Sequence, residues 1–327
     1  MATTLRSDMT IYQEQVHTAL TETLTQQTDN ITSATNGALL MSTGAMQGDY
    51  IYRSFFSQAT AVARQDLTSV SAATAVKLAQ NENISVKVHR RFQYDVTDKA
   101  FKLVGLDPDV FNIVAGQQIA KEIITGMIND GLSACRAALA NQSAVTNDIT
   151  AASTTSVSMS ALMNTLRKFG DAAPRIGAWV MHSTQFFDLA INELNNQVAP
   201  IYEGLLQRVD VPGLNRPIYV TDSASLIATA DTPDSYFVLG LTEGAIQLID
   251  TEPTDLVIDR VTGLEQLVRR YQGEYAFNVG VKGFKWDVAN GAANPSASAL
   301  GTGSNWDLAA ADSKDYAGVV LKCQAAS

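Results

Sequence analysis

Between Ile84 and Val96 the sequence alternates apolar and polar residues over thirteen positions, which restricts the fold severely. The alternation is interrupted only at position 90, where an arginine stands in the apolar set. This period of two predicts a long strand with one buried face. The segment before it, 59–78, is rich in small and polar residues, so we predict a long hairpin with a thin core. An isolated hairpin is marginally stable, and we therefore expect a neighbouring element to support it.

Helical patterns lie on both sides of this hairpin. Residues 9–30 place apolar side chains four or five positions apart among Gln, Thr and Glu, which predicts an amphipathic helix. This helix is too polar to hold a core of its own, so it is either an arm that packs on another surface or a frayed terminus. Residues 111–141, after the helix-start signal Asp107-Pro108, form the longest predicted helix and span about 45 Å. We expect this helix to act as the backbone of a domain.

Helices and strands follow one another through the rest of the chain. A helix is predicted at 160–169 and a short buried strand at 176–181, and Ser183 is predicted to cap the next helix. Beyond residue 200 the pattern changes to short strands and turns, and we expect 236–240 to pair with 245–249 through a turn. Further strands are predicted at 264–277, 280–286 and 318–322. The whole pattern indicates an α+β fold.

Composition excludes several classes of protein. With 46% hydrophobic and 17% charged residues, the 327-residue chain has the composition of a folded protein. Its two cysteines, Cys135 and Cys323, cannot form a disulfide framework, so an intracellular, reducing origin is expected. No apolar run approaches the roughly 20 residues of a membrane span, and no signal peptide is visible. The net charge of −10 argues against wrapping nucleic acid through bulk electrostatics.

Motifs of catalysis and metal binding are missing from the sequence. The cysteines lack CxxC spacing, and the histidines stand far apart at His17, His89 and His182. No phosphate-binding loop, dinucleotide fingerprint or nucleophile elbow occurs. Two groups of residues come close to a catalytic arrangement without forming one. They are the dipeptide His182-Ser183 and the carboxylates Glu243 and Glu252. We interpret them as a hydrogen-bonded histidine beside a helix cap and as turn residues, and we predict no enzymatic activity, no cofactor and no metal.

Five short motifs stand in one order after residue 178. The first is Trp179-Val-Met-His-Ser183 with Phe187 and Leu189, where a strand ending in Met-His leads into a helix. The others are Asn215–Ser223, Tyr236–Ile246, Arg269–Tyr271 with Gly283–Trp286, and Leu300–Leu308 with Val319–Leu321. This order resembles the major capsid proteins of tailed bacteriophages with the Hong Kong 97 fold. The resemblance covers 108–322, and the first hundred residues match only in layout. One departure is Gly280-Val281, where many relatives have His-Pro before the glycine that corresponds to Gly283.

The resemblance implies a Hong Kong 97-like capsid fold of the α+β class. Its implied regions are an N-terminal arm (1–48), an extended β-hairpin loop (49–100), a peripheral domain (101–199) with the spine helix 111–141, an axial domain (200–260), and a return strand with the C-terminal segment (261–327). The extended loop would lie over a neighbouring subunit, which would give the thin hairpin its missing support. The axial domain would surround the fivefold and sixfold axes of a shell.

The function that the resemblance implies is mechanical. Identical subunits would form hexamers and pentamers that close into an icosahedral shell around double-stranded DNA, without sequence-specific contact. The implied partners are further copies of the chain, a portal protein, a scaffolding protein and in some cases a cement protein, with no membrane. Because only about forty residues precede the loop, we expect the scaffolding protein to be a separate chain. The expected location is the virion, after assembly in the host cytoplasm.

Two alternatives stay open beside the phage capsid. An encapsulin-like cellular compartment uses the same fold, and sequence hardly separates it from a phage shell. An enzyme with an unrecognised site is the less favoured alternative.

Contacts between subunits are expected to involve arginines of the extended loop: Arg53, Arg64, Arg90 and Arg91. Arginine suits such contacts because its planar guanidinium binds a carboxylate through two parallel hydrogen bonds. The alternative interpretation is that each of them is a solvated arginine on an exposed hairpin.

Overall fold

The structure is a computed structural model that describes residues 6–56, 80–97, 108–195, 208–210, 216–263 and 265–326, together with Thr68 and Lys99. The α-helices of this part of the chain are α1 Arg6–Ala34, α2 Pro108–Ala140, α3 Met159–Arg167, α4 Ser183–Asn195 and α5 Ala297–Leu300. Its strands are β1 Leu39–Thr43, β2 Tyr50–Phe56, β3 Gln80–Thr97, β4 Thr146–Asp148, β5 Ile176–Met181, β6 Arg208–Asp210, β7 Pro217–Val220, β8 Ile227–Ala228, β9 Ser235–Thr242, β10 Ile246–Val261, β11 Val268–Val281, β12 Phe284–Trp286, β13 Trp306–Leu308 and β14 Gly318–Gln324.

Three long strands form the centre of a five-stranded sheet in the described residues, with the order β1-β10-β11-β3-β2. The last four strands pair antiparallel, and β1 joins β10 in parallel. The 18 residues of β3 give it a length of about 60 Å. The predicted strand at 84–96 is confirmed and is longer at both ends. One of its neighbours, β2, is close in sequence, whereas the other, β11, lies far along the chain.

A second sheet contains seven strands in the order β4-β14-β9-β5-β7-β6, with β8 also paired to β9. The predicted pairing of 236–240 with 245–249 is wrong, because these segments belong to different sheets. β9 pairs with β14, β5 and β8, whereas β10 pairs with β1 and β11. Almost every residue of β9 is buried, so this strand needs neighbours on both sides. The turn at Gly244, which has φ +66°, carries the chain from one sheet to the other.

The helix α2 packs against strands of both sheets, and its bounds agree with the prediction of 111–141. Its buried apolar residues include Ile119, Ile123, Met127, Leu132, Cys135 and Leu139. Near the start of the helix, Ile113 is 42% exposed. At Gly131 a side chain would come within 2.9 Å of Ile246 Cγ2, so this glycine lets β10 approach the helix closely. One continuous core therefore joins α2 to both sheets.

The helix α1 is attached to this core by few apolar side chains. Leu20 is 1% exposed, and Leu24 and Ile31 pack against the core while partly buried. Its threonine hydroxyls at positions 25, 28 and 32 each donate a hydrogen bond to the carbonyl four residues earlier, so their hydrogen bonds are made within the helix. A cavity of about 680 Å³ lies between α1, β1, α2 and β10. The helix α1 includes the whole of the amphipathic helix predicted at 9–30.

Both cysteines are buried and unpaired in the structure. Burial raises the pKa of the Cys135 thiol and of the Cys323 thiol to about 12. Thiols held this far from ionisation are poor nucleophiles, and their role is packing.

Candidate assembly surface

The outer halves of β3, β10 and β11 extend past their neighbours as a three-stranded ribbon. β1 pairs only with 246–250, and β2 only with 80–86, so beyond these points the described sheet is three strands wide. One face of this ribbon is apolar. There, Leu256 and Tyr271 form a small cluster, separate from the main core. A cluster of two buried residues is a thin core, and an element of this kind gains stability from contact with another surface.

The opposite face of the ribbon is polar and charged, because residues paired across neighbouring strands point to the same side. Asp259, Arg270 and Asp95 form one row across the three strands. Arg270 donates two hydrogen bonds to Asp95, of 2.8 and 2.7 Å. The guanidinium holds the pKa of the Asp95 carboxyl below its usual range. Arg270 is therefore already engaged within the chain.

Arg90 interrupts the apolar alternation of β3 for a reason that the structure reveals. Its guanidinium Nη2 lies 2.9 Å from Oδ2 of Asp130 on α2, and its Nη1 donates to the carbonyl of Pro295. Burial raises the pKa of the Asp130 carboxyl, and Arg90 opposes that rise. The apolar face of β3 carries this arginine because the buried carboxylate of Asp130 lies opposite it. Of the four arginines predicted as interface residues, Arg90 thus makes its ion pair inside the chain.

The other three arginines differ in position. Arg53 is exposed on β2, and its Nη1 donates to Oε1 of Gln247 at 3.3 Å. Arg91 is exposed on the polar face of the ribbon, and within the described part of the chain it forms no ion pair. Arg64 lies outside the described residues.

Exposed aromatic residues of β2 were missed by the sequence analysis. Tyr52 is 58% exposed, Phe56 is 65% exposed and Phe55 is 37% exposed. Grouped exposed apolar side chains mark interaction surfaces, and aromatic residues are enriched at interfaces. The available signal was composition, since four of the seven residues in Tyr50–Phe56 are aromatic. The edge of the five-stranded sheet therefore presents an aromatic strand to its surroundings.

A second exposed apolar pair lies on α4. Phe187 and Ile191 are one helical turn apart, and each is 57% exposed. The other side of this helix is buried through Leu189 and Gln185. The helix therefore buries one side and leaves an apolar pair on the other side, which is available to another surface.

His182 begins α4 as its N-terminal cap. Its Nδ1 accepts a hydrogen bond of 3.2 Å from the Thr184 amide, and its carbonyl accepts one from the Phe186 amide. The prediction that Ser183 caps this helix is wrong, because Ser183 is already the first helical residue. The Nε2 atom of His182 lies 3.9 Å from Oδ1 of the exposed Asp222. This near-miss for catalysis thus has a structural role at the start of a helix.

Replacing His182 tests that capping role. We expect His182→Ala to lower the free energy of unfolding by about 1 kcal/mol, because the Thr184 amide loses its side-chain acceptor. His182→Asn supplies another acceptor and is expected to lose less than half as much. Urea unfolding of the isolated subunit, followed by circular dichroism, measures both variants. Equal losses would show that the side-chain acceptor is unimportant.

The two carboxylates that come closest to a catalytic pair, Glu243 and Glu252, lie in different environments. Glu243 stands in the turn between the sheets, whereas Glu252 forms an ion pair with the buried Lys87. The Lys87 ammonium donates a hydrogen bond to this carboxylate and so holds the pKa of the Glu252 carboxyl below its usual range. Within the described ranges, no group of three or more His, Cys, Asp or Glu residues could hold a metal ion. No helix among the same residues is long and apolar enough to cross a membrane.

Several solved structures that share this fold are phage capsids. The acid-stable capsid of Helicobacter pylori bacteriophage KHP30 matches with a TM-score of 0.54 and 11% identity over 88% of each chain. The capsid of Myoviridae phage XM1 matches with a TM-score of 0.52 and 12% identity, over 89% of this chain and 90% of the other. The capsid of cyanophage Pam1 gives 0.51 and 14%, over 86% of each chain. At these identities the likeness establishes the fold, which is that of a phage capsid subunit.

A sequence model narrows this class to one family. The model of the Gp13-like family, described as major capsid protein 13-like, matches residues 8–320, and the chain therefore belongs to that family. It is a major capsid protein, and its place is the virion. No curated protein matches the sequence. The predictions of an α+β capsid fold and of a capsid function are confirmed.

Proposed function

We propose that copies of this chain form hexamers and pentamers, which close into an icosahedral shell around double-stranded DNA. The aromatic edge strand β2 carries this proposal. Tyr52 and Phe56 are more than half exposed, and a lone subunit gains nothing from holding them in water. A shell buries such side chains in many repeated contacts, because symmetry brings the same patches together at every copy.

The regions of the subunit are proposed to follow the layout given by the sequence. Residues 1–48 form the arm and include α1, and 49–100 form the extended loop and include β2 and β3. Residues 101–199 form the peripheral domain around α2. Residues 200–260 form the axial domain, and 261–327 form the return strand and the C-terminal segment. The boundary at 260 falls one residue before the end of β10, so the last two regions share one antiparallel pair.

The interface arginines are proposed to act in two ways. Arg53, Arg64 and Arg91 contact carboxylates of neighbouring subunits directly. The exposure of Arg53 and Arg91 supports this role. Arg90 acts indirectly, since its pair with Asp130 fixes β3, and with it the ribbon, against α2.

The shell needs partners besides its own copies. We infer a portal protein at one vertex, a separate scaffolding protein that guides assembly in the host cytoplasm, and a cement protein on some shells. The packaged DNA is held without sequence-specific contact, because a chain with a net charge of −10 repels phosphates. The subunit performs no catalysis in this proposal.

Electron microscopy tests the proposed function. The chain is expressed with and without a candidate scaffolding protein, and the sedimentable fraction is imaged in negative stain. We expect closed polyhedral shells or capsomer rings, and their diameter gives the number of subunits. A monodisperse monomer under both conditions would overturn the proposal. Enzymatic turnover that His182→Ala abolishes would favour the enzyme alternative.

A further inference from the structure

The two edges of the ribbon carry opposite charges on the same face. Asp255, Glu274 and Arg91 form a row across β10, β11 and β3, and all three are exposed. Side chains paired directly across neighbouring strands point to the same side of a sheet. The row therefore has a carboxylate at the β10 edge and a guanidinium at the β3 edge.

Within one chain the β10–β11 pair of this row is unfavourable, whereas Arg91 stands directly opposite Glu274 on the β3 side. Asp255 and Glu274 are like charges placed directly opposite each other, which weakens a strand pair. Arg91 stands beyond Glu274, two strands or about 10 Å away from the Asp255 edge. Among the described residues Asp255 forms no ion pair, and neither does Arg91. A cation supplied from outside the chain, beside Asp255, would offset the repulsion.

A second carboxylate extends the acidic edge. Asp259 lies four residues beyond Asp255 on the same face, about 13 Å along β10. Its row partner Arg270 is bound to Asp95, and the Oδ1 of Asp259 accepts only from the neighbouring backbone amide among the described residues. Val257, which is 60% exposed, stands between the two carboxylates. The β10 edge is thus acidic around an apolar centre.

The β3 edge complements it. Asp95 on this edge is neutralised by Arg270, so Arg91 supplies the net charge of the exposed side chains. One chain therefore presents an acidic edge and a basic edge, at opposite sides of one ribbon. Two different patches that fit each other make a head-to-tail contact, and such contacts close into rings when copies are related by a rotation.

We propose that the β10 edge of one copy lies against the β3 edge of the next copy, where Arg91 of one pairs with Asp255 of the other. The proposal rests on the proposed shell function and names one of its contacts. Val257 is covered in this contact, and the charged residues fix its register and exclude wrong pairings. The occupant is a second copy of the chain because both complementary edges belong to the same sequence.

A charge swap tests the contact. Arg91→Glu and Asp255→Lys are each expected to reduce the yield of shells at least about tenfold, because each places like charges together. The double variant carries the pair with its signs exchanged in every copy, and it is expected to recover shells to within about threefold of the original chain. Asp307→Lys, at an exposed position of β13, is the matched control and keeps the original yield. Thermal unfolding of each subunit confirms that all variants fold.

The outcomes separate the contact from the proposed function. If the unaltered chain makes no shells, the proposed function fails and the contact fails with it. If the unaltered chain makes shells, two results overturn the contact alone. One is that folded single variants assemble as well as the control, and the other is that the double variant assembles no better than the single variants.

Discussion

Gly318→Ala is expected to prevent stable folding of the subunit, with a loss of more than about 4 kcal/mol in the free energy of unfolding. Gly318 starts β14 and pairs with Leu241 of β9. A Cβ at this position would lie 1.9 Å from the carbonyl oxygen of Gly240. That atom is backbone in the middle of a buried sheet, so it cannot move aside as a flexible side chain would. The φ of +155° adds strain for a residue with a side chain.

The comparison for this variant is Gly177→Ala in β5. There the nearest atoms, both of Asn36, would lie 3.9 and 4.0 Å from the new Cβ, which is ordinary contact distance. We expect Gly177→Ala to change the free energy of unfolding by less than about 0.5 kcal/mol. Soluble expression and urea unfolding of both variants provide the measurement. A Gly318→Ala subunit as stable as Gly177→Ala would show that the two strands can separate without cost.

Periodic patterns in the sequence predicted the elements whose form depends on local residues. The alternation at 84–96 gave β3, and the apolar spacing at 111–141 gave α2, each close to its observed bounds. In a strand or a helix of this length the apolar positions repeat many times, so a single exception does not obscure the period. The exception at Arg90 marked a real feature, namely the buried carboxylate that faces it.

Pairing between strands could not be predicted in the same way, because it depends on residues distant in sequence. The turn at 242–244 separates two apolar strands, as the turn of a hairpin does, yet it joins two sheets. The difference arises from β14 and β5, which enclose β9 and leave no edge for β10. Likewise, the capping residue of α4 depended on whether the helix begins at residue 183 or later, which periodicity does not resolve.

The candidate surface was the least predictable part, since exposure is a property of the assembled fold. Tyr271 is 1% exposed and Tyr52 is 58% exposed, although both lie in strands of the same sheet. Tyr271 lies on a central strand of the ribbon, whereas Tyr52 lies on the edge strand β2. A sequence indicates that a tyrosine prefers a strand, but only the sheet order determines whether it is covered.

Arg90→Ala is expected to lower the free energy of unfolding of the isolated subunit by about 3 kcal/mol. The loss arises because the Asp130 carboxylate, whose side chain is 10% exposed, stays buried without its partner. Asp130→Asn removes the charge and keeps the size of the side chain, so it is the matched variant. In the double variant, Arg90→Ala is expected to cost less than in the original background, because no carboxylate is left unpaired.

The pH dependence of the Arg90→Ala variant identifies the cause of its loss. Burial raises the pKa of Asp130, and without Arg90 that pKa rises further. A carboxyl whose pKa is higher in the folded than in the unfolded chain binds its proton more tightly when folded, so stability falls as the pH rises above the ordinary carboxyl range. The deficit of Arg90→Ala should therefore shrink on acidification, and it should not do so in the Asp130→Asn background. Urea unfolding from mildly acidic to neutral pH measures this difference. If Arg90 served only a contact between subunits, the isolated subunit would show neither the loss nor its pH dependence.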